Sequence, residues 1–170
     1  VSGTRLGTAT VNVGASTWTF TPASPISTVK ADVGFQAVVE NAYGLRDDSP
    51  SAVSTLRFDN TPLTVVSKLT GAVASAGDLK LVFNQTVTAV SGKKIRLFDD
   101  ASSTEVANID AANVGTSGGV VTISLANVTI NPNADLVLGK TYHVLVDAGA
   151  FRSLSGVEFA GISSTSEWTF

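Results

Sequence analysis

Apolar residues along this chain rarely recur at the i, i+3, i+4, i+7 spacing of a helix without Gly, Ser or Thr interrupting. Short alternating runs dominate instead, separated by Gly, Pro, Asn, Asp and Ser. This pattern predicts strands over residues 6–13, 16–21, 34–41 and 53–59. After a break it predicts more over 63–67, 78–83, 94–98, 105–109, 120–125, 128–130, 141–146 and 167–170. Side chains alternate across a strand, so faces can be assigned. Leu79, Leu81 and Phe83 share one face, with Lys80 opposite. Ile95 and Leu97 point inward, with Lys94 and Arg96 outward. Tyr142, Val144 and Val146 oppose His143 and Leu145. Short strands separated by frequent turn signals predict an all-β, antiparallel sandwich.

The pattern breaks at Asp59-Asn60-Thr61-Pro62. Pro62 has no amide hydrogen for a central ladder, and Asp and Asn favour turns. The break divides the chain into residues 1–60 and 61–170. Trp18-Thr19-Phe20 recurs as Trp168-Thr169-Phe170. Each copy is expected to anchor the core of its own module. Tyr43 and Tyr142 also fit inward positions.

Composition narrows the functional classes. Thr, Ser, Val and Gly number 20, 19, 23 and 15 among 170 residues, while charged residues are only 15%. That suits pleated strands and their turns better than a charged or catalytic surface. Eleven basic residues against fourteen acidic ones argue against nucleic acid as a partner. No apolar run is long enough for a membrane-spanning helix, so no membrane insertion is expected. There is no cysteine, which excludes thiolate chemistry and Cys-based zinc sites.

Gly115-Thr116-Ser117-Gly118-Gly119 matches G-x-S-x-G, and Asp135 and His143 follow in hydrolase order. The nucleophile elbow needs a strand–turn–helix, and no helical pattern follows here. His143 is the single histidine. Without a Cys or a paired carboxylate beside it in sequence it is read as structural. No catalytic site is expected.

Two sets of motifs carry a resemblance. The first is Leu81-Val82-Phe83-Asn84-Gln85-Thr86-Val87, Asn131-Pro132-Asn133-Ala134-Asp135-Leu136 and Gly139-Lys140-Thr141-Tyr142. It continues through Val146-Asp147-Ala148-Gly149-Ala150-Phe151, Phe159-Ala160-Gly161-Ile162 and Trp168-Thr169-Phe170. In order and spacing, residues 62–170 resemble the bacterial Ig-like domains repeated in S-layer proteins and giant surface adhesins. The family often has an acidic residue at Asn84 or Gln85, and Gly-Asn where Gly156-Val157 stands.

The second set is Leu6-Gly7-Thr8-Ala9-Thr10-Val11, Thr17-Trp18-Thr19-Phe20-Thr21-Pro22 and Asp59-Asn60-Thr61-Pro62. It resembles the latter half of a biofilm-associated adhesin repeat. The resemblance implies one complete Ig-like module, residues 61–170, preceded by a partial one, residues 1–60, cut from a longer chain. It also implies that residues 1–60 are either completed by contacts outside their own module or packed on the second one.

The function so implied is a non-catalytic structural or adhesive repeat on a bacterial cell surface, an extracellular spacer or biofilm module. Its partners would be neighbouring repeats, with self-association or a cell-surface ligand in addition. A module binding glycan or host protein through loops 99–104 or 111–119 is the alternative, as is an accessory domain of a large secreted enzyme. Adhesins of this kind hold calcium at domain junctions. By this resemblance Asp59 and Asn60, with Asp47 or Asp48, are the candidate ligands, and their hard oxygens suit calcium. No EF-hand or nonapeptide calcium motif accompanies them.

Overall fold

A computed structural model describes residues 4–12, 14–15, 17–24, 26, 30–41, 43–46, 51–115 and 118–170. Among these residues there are thirteen strands and no helix. The chain forms two compact units, Val1–Asn60 and Thr61–Phe170.

The first unit holds two antiparallel ribbons. In one, β1 (Thr10–Asn12) pairs with β2 (Thr17–Thr19), placing Val11 opposite Trp18. In the other, β3 (Lys30–Phe35) pairs with β4 (Ser54–Asp59), from Lys30 opposite Asp59 to Phe35 opposite Ser54. The strand expected over 34–41 therefore lies earlier in the chain. Past Phe35 the ladder gives way to Ser51, whose hydroxyl accepts the Ala37 N–H at 2.9 Å and whose carbonyl accepts the Gln36 amide at 3.1 Å. No described residue of this unit is buried. Trp18 is 57% exposed and Tyr43 is 92% exposed, so neither is the core anchor that its apolar character suggested. Among the described residues β1 is the strand hydrogen-bonded to β2. Tyr43 sits in a turn whose amide bonds the Asn41 side chain.

The second unit is an antiparallel Ig-like sandwich. Its first sheet runs, in spatial order, β10 (Val120–Ser124), β11 (Asn127–Asn131), β6 (Leu79–Phe83) and β5 (Val65–Lys68). Its second runs β12 (Tyr142–Val146), β8 (Lys94–Asp99) and β9 (Thr104–Asp110). The final Trp168-Thr169-Phe170 adds itself beside β12: Tyr142 and Phe170 exchange backbone hydrogen bonds at 2.9 and 3.0 Å, and the Val144 N–H donates to Trp168 at 2.9 Å. A short ribbon of β7 (Val87–Ala89) and β13 (Phe151–Ser153) completes the unit.

The alternation read from β6 and β8 holds. Leu79, Leu81, Phe83, Ile95 and Leu97 are buried, and Lys80 is exposed. Phe83 meets Phe151 and Phe159 at ring separations of 5.3 and 5.1 Å. Fully burying each such side chain contributes about 1.5–3 kcal/mol. β12 departs from simple alternation, because it lies between β8 and the final segment and both its faces are covered. His143 is buried along with Tyr142 and Val144.

Candidate functional site

The strand β8 ends with a carboxylate on its core side. Asp99 faces Tyr142 in register, shares its side of the sheet with Leu97 and Ile95, and is 4% exposed. A buried charge is costly unless paired and hydrogen-bonded. Here Lys140 forms an ion pair with Oδ2, while Oδ1 accepts the Ala101 and Ser102 N–H groups at 3.0 and 3.4 Å. The Lys140 hydrogen bond, opposed by burial and aided by the two amides, holds the Asp99 carboxyl below its usual range. The same pairing raises the Lys140 ammonium above its ordinary value.

The next residue points to the other side. Asp100 Oδ1 accepts the His143 Nδ1–H, and the imidazole lies flat against Phe98, at 5.1 Å and 9° between ring planes. Phe98 and His143 are opposed in register, so the stack follows from the β8–β12 pairing. Among the described residues no hydroxyl hydrogen-bonds His143. Asp135 is exposed, and Ser117 lies outside the described residues. The histidine's carboxylate is therefore Asp100 and not the Asp135 of the G-x-S-x-G order. The Asp100 carboxylate and the Phe98 ring fix the orientation of this imidazole at the β8 turn.

A groove of about 310 Å³ opens at this end of the sandwich, lined among others by Val73, Leu136, Leu138, Lys140, Tyr142 and Phe170. Tyr142 and Phe170 stack at 5.7 Å, and the Tyr142 hydroxyl accepts the Val137 N–H at 2.9 Å. The floor is thus rigid and aromatic, with one cation at its rim.

The remaining polar groups hold turns. Asp110 accepts the Ala112 and Gly92 amides at 3.0 and 2.8 Å, which with Lys94 keep its carboxyl below the usual range. Asp147 accepts the Lys94 N–H at 2.8 Å and pairs with Arg96 at 3.4 Å. Asn131 accepts the Asn133 N–H at 2.8 Å and donates to Asp78 at 3.0 Å, so the oxygen-rich Asn131-Pro132-Asn133 run scaffolds a turn.

Of the expected calcium ligands, Asp47 and Asp48 lie outside the described residues. Asp59 closes β4 opposite Lys30, half-buried, and the Asn60 side-chain amide donates to the Ile26 carbonyl at 3.3 Å. Among the described residues no three His, Asp or Glu side chains converge on a metal position. The Asp99–Lys140 and Asp100–His143 pairs had no local signature, because strand register brings them together over some forty residues.

No helix among the described residues is long and apolar enough to cross a membrane. No curated protein matches the chain. The sandwich of two antiparallel sheets agrees with a family match: residues 59–170 match the bacterial Ig-like domain, and this chain belongs to that family.

Proposed function

We propose that the chain is a non-catalytic structural or adhesive repeat of a large bacterial surface protein, acting as an extracellular spacer between neighbouring Ig-like repeats. One observation carries this reading: in the closed sandwich, Asp99, Asp110 and Asp147 are all engaged in holding turns and strand ends. Their chemistry serves rigidity. Residues 1–60 are proposed as the later strands of a second such module, supported by the shared Trp-Thr-Phe strand and the lack of any buried described residue there.

Stretching the chain between marker domains in a force spectrometer tests the spacer. Residues 61–170 should unfold in one cooperative step, releasing about 360–400 Å of chain. Gradual extension without a discrete step would remove the reading.

The groove beside Tyr142 and Phe170 favours a second reading, a ligand-binding module. Binding on a glycan array or to host-cell protein, lost in Leu138→Asp, would replace the spacer. Calcium at Asp59 and Asn60, with Asp47 or Asp48, is proposed on their hard oxygens. Calorimetry with calcium and chelator decides it: heat on titration and a higher Tm support the ion, and no heat with an unchanged Tm removes it.

A further inference from the structure

The outer strands of a sandwich expose unpaired backbone groups that can template another chain. The outer strands of the two sheets in Thr61–Phe170 meet this in more than one way. At β10, the Val121 N–H donates to the Asn113 carbonyl at 2.7 Å. The final segment beside β12 is tied across to the first sheet by the Trp168 indole, which donates to the Leu69 carbonyl at 2.8 Å. β5 and β9 remain; among the described residues the one backbone hydrogen bond running outward from them is at the last residue of β9, where the Asp110 carbonyl accepts the Asn113 N–H at 2.9 Å.

Both carry the same irregularity. In β5, Val65 opposes Phe83 and Ser67 opposes Val82, leaving Val66 without a cross-strand partner. In β9, Ala107 opposes Leu97 and Glu105 opposes Phe98, leaving Val106 as the extra residue. Each is a one-residue bulge on the outer strand. The extra valines are 66% and 38% exposed. A second contact agrees with the bulge in β9. Residues three apart in a regular strand face opposite sides, yet the Asn108 amide donates to Glu105 Oε1 at 2.9 Å. The extra residue between them resets the alternation and puts an exposed carboxylate on the same face of this outer strand as Asn108.

We propose that the Val66 and Val106 bulges, with Glu105, close these two edges against strand pairing with a second copy of this chain. A bulge breaks the even spacing of N–H and C=O groups and bends the strand, so an incoming strand would find no continuous ladder. A carboxylate at the edge adds the cost of burying a charge. The inference does not depend on the spacer reading.

The test removes both guards: Val66 and Val106 deleted together, with Glu105→Thr. Sedimentation should give a monomer for the parent chain and a doubled mass for the variant, with slowed amide exchange over 65–68 and 104–110. A variant that keeps native Trp emission and stays monomeric overturns the proposal. Should the variant fail to fold, amide exchange in the unmodified chain decides. Exchange over those two strands that does not change with protein concentration supports closed edges, and protection that grows with concentration overturns them.

Discussion

The indole N–H of Trp168 donates to the main-chain carbonyl of Leu69 at 2.8 Å, joining the last strand of one sheet to the end of the first strand of the other. Trp168 is wholly buried. Its ring fills the core while its one polar atom satisfies a carbonyl that would otherwise be orphaned at the seam. Trp168→Phe should cost at least about 1–3 kcal/mol for the unpaired carbonyl, with a cavity term added. Trp168→Ala should cost about 3–5 kcal/mol. Trp18→Ala, in the exposed copy of the same tripeptide, should leave the unfolding of residues 61–170 unchanged. Urea denaturation followed by circular dichroism distinguishes the three.

Stability should fall at both extremes of pH, for opposite reasons at the same pair. The Asp99 carboxyl sits below its ordinary value through Lys140 and two backbone amides, and Asp110 through the Ala112 and Gly92 amides. Groups depressed in the folded state contribute stability above roughly pH 4, lost as pH falls through their folded values. Lys140 is raised, so its contribution is present below roughly pH 10.4 and lost as pH climbs through its folded value. Tm measured against pH should flatten on the acid side in Asp99→Asn, and on the alkaline side in Lys140→Gln. Unchanged profiles would assign the pair no role.

Two turns should respond in opposite directions to substitution. Leu125 occupies the β10–β11 hairpin at φ +56° and is 71% exposed, a left-handed conformation that leucine adopts at a cost. Leu125→Gly should stabilise by about 0.5–1 kcal/mol. Gly161 has φ +89°, and a Cβ there would lie 2.6 Å from the Val146 carbonyl oxygen and 2.8 Å from the Ala148 nitrogen. Gly161→Ala should destabilise by about 2 kcal/mol or more, since strain and backbone overlap add. Thermal melts of the two variants check the signs.

Ester hydrolysis offers a simple test of the G-x-S-x-G match. If His143 is structural, with its Nδ1 held by Asp100, turnover of an activated ester should match the buffer rate and be unaffected by Ser117→Ala. Turnover abolished by that substitution would restore the serine as a nucleophile.

Where a strand has one dry face, its alternation could be read directly from the residues. Leu79, Leu81 and Phe83 against Lys80 is such a case, and Ile95 and Leu97 is another. β12 could not be read this way, because a strand flanked on both sides and covered on both faces buries His143 too. β7 and β13 were missed, since Val87-Thr88-Ala89 and Phe151-Arg152-Ser153 are three residues each and carry almost no period. The polar cluster was hidden for a different reason. Asp99 and Lys140 are ordinary turn residues until the β8–β12 register sets them together, and register is a long-range property. Trp18 shows the limit of a tripeptide: the same residues lie exposed when the surrounding strands do not cover them.

The two partners in the seam bond are 99 positions apart in the chain. A polypeptide delivered from its amino end therefore carries β5 and the Leu69 carbonyl long before the residue that locks them arrives. Until position 168 emerges this tie between the two sheets is missing, and closing so distant a pair carries an entropic cost. The seam between the two sheets is therefore among the last features of the sandwich that can be sealed during synthesis.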